Sequence, residues 1–180
     1  WYARWTATYK NYTVTWNGNG GTPSKSSSSF HYNDALGTLP TATRTGYTFK
    51  GWSTSANGSV NVSTTTKVTG NVTYYAIWQI NSYTLTVTAG TGGTVSGGGT
   101  YNYGATVTLK ATPSAGYHFV KWSDGNTNAS RTVIVTGNAT YTATFEQDPY
   151  LNLDKTSLTF EAAGGTQTVK VTSNVNWTIS

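Results

Sequence analysis

A chain of 180 residues with no cysteine excludes disulfide staples, thiolate metal sites and cysteine nucleophiles. Its net charge of +5 is the balance of eleven Lys and Arg against six Asp and Glu, and the cations are scattered along the sequence with no basic stripe, which argues against nucleic acid as a partner. No apolar run approaches the roughly 18 residues of a membrane span, no signal peptide is visible, and Thr, Ser, Gly and Asn crowd out helix-forming runs, so the expected class is all-β with at most a short helix.

The chain opens at Trp1-Tyr2-Ala3-Arg4-Trp5, which reads as the interior of a strand. The same alternation returns at Tyr74-Tyr75-Ala76-Ile77-Trp78 and at Tyr141-Thr142-Ala143-Thr144-Phe145. In each, aromatic, Ala and aromatic side chains share one face, as a half-buried strand requires. Residues 1–9 are therefore expected to be the terminal strand of a preceding repeat with its connector, and the chain a piece of a longer polypeptide. The connectors Thr6 to Asn11 and Gln79 to Ser82 are too short and too poor in Gly for free linkers, so modules strung like beads with restricted bending are expected.

An alternating strand follows each connector: Tyr12-Thr13-Val14-Thr15-Trp16, then Tyr83-Thr84-Leu85-Thr86-Val87. Next come Gly20-Gly21 and Gly92-Gly93, where double glycine predicts a sharp reversal with positive φ. A phosphate-cradling loop lacks its G-x-x-x-x-G-K-[ST] context. Ser24 to Ser29 reads as a low-complexity loop. Asp34 to Pro40 offers a short helical turn with Asp34 as N-cap or a degraded strand, whereas Val107 to Ala111 is a clear strand.

The organising motif is Gly46-Tyr47-Thr48-Phe49-Lys50-Gly51-Trp52, which returns 70 positions later as Gly116-Tyr117-His118-Phe119-Val120-Lys121-Trp122. Glycine turns the chain into a strand, the first two aromatics share a face by the period of two, and the Trp lies one step out of register, as a bulge or a strand end allows. The sequence-predicted core comprises Tyr47, Phe49, Trp52, Trp78, Tyr117, Phe119 and Trp122. Each repeat closes through Gly70-Asn71 or Gly137-Asn138, dipeptides that suggest a tight hairpin into the terminal strand. From Asp148 the pattern changes to short strands around Leu151, Leu153, Leu158, Phe160, Val169, Val171 and Trp177, read as a cut-off β domain whose core tryptophan in the intact parent would be Trp177, and which in this piece leaves that ring partly exposed or, as favoured, covered by the preceding module or completed by another chain.

These motifs, in this order and spacing, resemble the Listeria-Bacteroides repeat, also called the internalin-type B repeat. Residues 83 to 146 resemble its divergent relative. Phe160-Glu161-Ala162-Ala163-Gly164-Gly165, Val169-Lys170-Val171-Thr172-Ser173-Asn174 and Trp177 are similar to the opening of a BACON domain. The expected organisation is the leading strand at 1–9, a first B-repeat-like module at 10–80, a divergent one at 81–147, and a truncated BACON-like or immunoglobulin-like start at 148–180. The resemblance implies tandem β-grasp-like modules on exported bacterial proteins, with spacer or adhesive roles and no catalytic residues to transfer.

Enzyme signals are weak: His31 and His118 sit in nonequivalent contexts, and no Ser-His-Asp order, H-E-x-x-H or paired carboxylates stand out. No cofactor is expected. Asp124, Asn126 and Asn128 alternate as the first ligands of a calcium loop do, but the later Gly and Glu are missing, so a plain Asp-Gly turn competes with a weak metal site. The expected function is a non-catalytic repeat segment of a cell-surface or secreted protein, its partners being neighbouring repeats and a host or cell-surface protein or glycan. The alternative is a carbohydrate-binding module, for which Tyr2, Tyr9 and Tyr75, free of core duty, are the stacking candidates.

Overall fold

The computed structural model describes residues 9–159, 162 and 164–178; the expected strand at Trp1 to Trp5, with Tyr2, and the positions of Phe160 and Ile179 lie outside them. The chain divides into two compact units. The first takes the described residues of Trp1–Thr84 with Gly99–Thr106 and Ile134–Asn138, and the second those of Leu85–Gly98, Val107–Val133 and Ala139–Ser180. The described residues are strands, turns and irregular segments with no helix.

In the first repeat the strands are β1 (Asn11–Asn17), β2 (Thr22–Pro23), β3 (Ser27–His31), β4 (Ala42–Thr43), β5 (Tyr47–Ser53) and β6 (Val72–Ile80). They form a sheet in the order β3-β1-β6-β5 and a small β2-β4 pair. The first strand lies parallel to the last, Trp16 beside Tyr74, while β3 and β5 flank them antiparallel. The alternation read from the sequence sets which side chains are covered: Val14 and Trp16 of β1 and Tyr74 and Ala76 of β6 are buried. They join Leu36, Ala42, Trp52, Val62 and Val68 in one core, against which Phe49 and Trp78 pack half-buried.

The second repeat contributes β7 (Ser82–Ala89), β8 (Gly93–Ser96), β9 (Gly99–Asn102), β10 (Thr106–Pro113), β11 (Tyr117–Trp122), β12 (Ser130–Ile134) and β13 (Ala139–Gln147). Its sheets run β11-β13-β7-β9 and β12-β10-β8, with β13 again parallel to β7. The division between units runs through β7, whose residues Ser82–Thr84 fall with the first unit, whereas the sequence places a border at 80/81. Ser82 and Thr84 meet Asn102 and Thr100 through side-chain hydrogen bonds inside that first unit. In the second unit Leu85, Val107, Leu109, Ala111, Trp122, Val133, Ala143 and Phe145 are buried.

The bulge appears in both copies. The ladder slips between Phe49 and Gly51, so that Phe49 faces Trp78 and Trp52 faces Ala76; it slips again between Phe119 and Lys121, so that Phe119 faces Phe145 and Trp122 faces Ala143. Gly46 and Gly116 open these strands at φ of 76° and 75°, and Gly20 and Gly92 reverse the chain at 88° and 96°.

Several expectations need correction. Gly70-Asn71 and Gly137-Asn138 are not hairpin turns. Neither glycine has positive φ, and the strand that follows pairs in parallel with the first strand of its repeat. The asparagines work differently: the Thr13 N–H donates to Asn71 Oδ1 at 2.8 Å, and the Thr84 N–H donates to Asn138 Oδ1 at 2.8 Å. Each side chain satisfies a backbone donor at the start of the neighbouring parallel strand, a task that crossover geometry creates and a hairpin would not.

The serine run is a loop only over residues 24–26. Ser27–His31 forms β3 because β1 offers it a ladder, Tyr12 opposite Phe30 and Val14 opposite Ser28, and because Trp16 Nε1 donates to Ser28 Oγ. The helical turn at Asp34 does not form: Asp34 Oδ2 accepts the His31 N–H, and Ala35 makes an isolated bridge to Lys67.

In the tail, β14 (Leu151–Leu153) and β15 (Val171–Ser173) pair antiparallel, but Leu158 and Val169 lie outside strands. Trp177, expected in a core, is 45% exposed, because the described tail supplies only this two-stranded ladder to pack against.

Candidate functional site

The repeated aromatics are occupied with each other. Trp52 and Trp122 are fully buried, and their indole N–H groups donate to the carbonyls of Pro40 at 2.8 Å and Asn128 at 2.9 Å. Trp16 lies 4.8 Å from Trp52 and 5.5 Å from Tyr74, ring centre to ring centre. Phe49 meets Trp52 at 5.4 Å and Trp78 at 5.5 Å edge-on, as quadrupole attraction prefers. In the second unit Phe119 meets Trp122 and Phe145 at 5.6 and 5.9 Å. Tyr47, Phe49, Trp78, Tyr117 and Phe119 are half-buried, at the margin of these cores. Burial also pushes the Tyr74 phenol above its ordinary pKa.

Of the stacking candidates, Tyr2 lies outside the described residues. Tyr9 is 73% exposed, and its ring is met edge-on by His31 at 5.2 Å. Tyr75 is half-buried on β6, between Asn17 of β1 and Ser53 of β5. Among the described residues no ring contact or hydrogen bond joins Tyr9 to Tyr75.

The Asp124 turn is held by its own polar groups. Both carboxylate oxygens of Asp124 accept from Arg131 Nη1, at 2.7 and 2.6 Å, and this bond holds the Asp124 carboxyl below its ordinary pKa. Asn126 N–H donates to Asp124 Oδ1, and Asn128 N–H donates to Asn126 Oδ1. The Asn128 carbonyl takes the Trp122 indole. The spacing that suggests a calcium loop thus builds a turn closed over the buried Trp122, with the carboxylate committed to a guanidinium. His31 and His118 each face an aspartate, Asp34 at 3.3 Å and Asp148 at 2.8 Å, on half-exposed surface. No Ser or Thr hydroxyl is hydrogen-bonded to either imidazole among the described residues.

A groove that sequence reasoning missed lies in the first unit, lined by Gly20, Thr22, Thr43, Arg44, Thr45 and Tyr47. A second opening, bounded by Asn19, Asn57 and Trp78, adjoins the same Arg44 and Tyr47. The Arg44 guanidinium carbon sits 3.8 Å from the Tyr47 ring centre. The same guanidinium borders the Gly20 turn, where an added methyl would come within 3.2 Å of that carbon. Nη1 reaches the Asn19 carbonyl at 3.4 Å, and no carboxylate pairs with Arg44 among the described residues.

The turn beneath is pinned. Asn19 Nδ2 donates to the carbonyls of Ala56 and Ala76, and Trp78 Nε1 donates to the Gly18 carbonyl. Comparison of the repeats supplies the signal that could have found the groove. Three residues before the organising Tyr, the first copy carries Arg44 and the second Ser114, and in both the Tyr N–H donates to that residue's carbonyl at 3.1 Å.

No curated protein and no solved structure matches the chain. Residues 12–77 match the Listeria-Bacteroides repeat domain, and residues 83–149 match the divergent InlB B-repeat domain, so two consecutive stretches of this chain are similar to repeats of related kinds.

Proposed function

We propose that this chain is a non-catalytic tandem-repeat segment of a bacterial cell-surface or secreted protein, acting outside the cell as a stalk or spacer and as an adhesion or protein-interaction module. The observation that carries this reading is the repetition itself: one bulged ladder with a buried tryptophan, built twice in succession within stretches that match the two repeat families. Each repeat is read as a β-grasp-like module, supported by the first strand lying parallel to the last in the sheet interior. The tail from 148 is read as the start of a BACON-like sandwich, supported by the antiparallel β14-β15 pair.

Protease shaving of intact producing cells, with peptide mass spectrometry of the released fragments and of the culture medium, tests the location. Peptides from residues 12–149 should appear without lysis. Their recovery only after lysis would overturn the reading.

A second reading, a carbohydrate-binding module, is favoured by one observation, the open polar groove at Arg44 and Tyr47.

A further inference from the structure

The two repeats differ at one spot in a way that core packing does not demand. In the second, the Tyr117 ring rests directly on Gly92, where an added methyl would lie 2.1 Å from Cδ1. In the first, the atoms nearest a methyl added at the equivalent Gly20 belong to Arg44, whose guanidinium also lies over the Tyr47 ring. The second copy has Ser114 at that position and closes without a cation. A charged side chain has therefore been placed in a slot that the fold can fill with a ring alone.

The stack holds the guanidinium plane in place and leaves its edge free. Nη1 makes one long bond to Asn19, while Nε and Nη2 have no partner among the described residues. A planar fork with unused parallel N–H donors suits one chemistry best, a carboxylate taken by two hydrogen bonds. The local field agrees. Among the described residues of the first unit, Arg44 is joined by Lys10, Lys25, Lys50 and Lys67, and the single acid, Asp34, is engaged with His31. What surrounds the fork is hydroxyl and amide: Thr22, Thr43 and Thr45 on one side and Asn57 on the other. Such a lining offers hydrogen bonds to ring hydroxyls and no enclosed apolar pocket for a peptide side chain.

We propose that this groove binds a hexuronic acid residue of an acidic glycan, with Arg44 receiving the carboxylate and the surrounding Thr and Asn groups the hydroxyls. The proposal rests on the carbohydrate-binding reading and names its ligand class and its key residue. Tyr47 and Gly20 are positioning residues that border the fork.

The test is a titration of the full 180-residue chain, followed by NMR and calorimetry, with trigalacturonate, its methyl ester and triglutamate as probes. The methyl ester keeps the sugar and removes the charge. Trigalacturonate should bind, with shifts centred on Gly20 and Thr43 to Tyr47, and the ester about ten-fold or more weaker, the loss expected when a charge-assisted pair is removed. Arg44→Ser, which installs the second repeat's own residue, should melt like the parent and lose binding by about ten-fold or more; Arg44→Lys, keeping charge without the fork, should fall between.

Failure of trigalacturonate to bind, undiminished binding by a folded Arg44→Ser, or equal binding of triglutamate would overturn the proposal. If Arg44→Ser proves unstable, Arg44→Lys decides, and parent-like affinity in it sinks the fork. Equal binding of acid and ester would remove the carboxylate assignment while leaving the carbohydrate reading standing. Binding of neither saccharide would remove both.

Discussion

Trp52 stands directly across the ladder from Ala76, and neither has any surface exposed to water. The same pairing holds between Trp122 and Ala143, 67 residues further on along the terminal strand. A small residue opposite a large one lets the indole lie over the strand, and the bulge before it turns the ring into the core. Replacing Trp52 or Trp122 by Ala should therefore cost about 3–5 kcal/mol, most of the stability of so small a module. Denaturant titration of each variant checks this; a loss below about 1 kcal/mol would place the ring outside the energetic core.

The crossover asparagines should behave alike in both repeats. Asn71→Ala and Asn138→Ala each orphan one strand N–H, and a lost exposed hydrogen bond of this kind costs about 0.5–1.5 kcal/mol. Hydrogen exchange gives the sharper reading: the amides of Thr13 and Thr84 should lose protection selectively, while those of Val14 and Leu85 keep theirs.

Glycine substitutions separate crossover from hairpin. Gly70 and Gly137 have ordinary φ and open space around an added methyl, so Ala there should be neutral or stabilising by up to about 1 kcal/mol. A hairpin turn with positive φ would instead be destabilised. Gly21→Ala and Gly93→Ala should show the opposite effect, because a methyl would lie 2.4 Å from the rings of Trp78 and Phe145, and such overpacking costs about 1–3 kcal/mol. Thermal melts of the four variants should fall into these two pairs.

The Asp124–Arg131 pair contributes a pH dependence of known sign. Arg131 holds the folded carboxyl below its ordinary pKa, so the stabilisation is fully present above the ordinary carboxylate value and fades as pH falls through the lowered folded one. The effect is confined to acid below about pH 4 and shrinks with added salt, since the pair is partly exposed. In Arg131→Ala, a carbon-detected NMR titration should find Asp124 back near its ordinary range; an unmoved midpoint would remove Arg131 as the cause.

The all-β class, the duplication, the alternating faces of β1, β6, β7 and β13, and the out-of-register placement of each Trp were legible in the sequence. They depend on periods of two and on glycine at fixed offsets, which neighbouring residues impose on one another through sterics alone. What the chain alone left open was decided across distance. Asn71 caps Thr13 from 58 residues away, so its Gly-Asn pair looks like a hairpin until the parallel partner strand is in place. The serines of β3 become a strand because β1 presents a ladder and Trp16 an indole donor. Arg44 reads as one more scattered cation; Tyr47 is three residues away in sequence, and only folding brings the Gly20 turn, from the β1–β2 connection, against the same guanidinium.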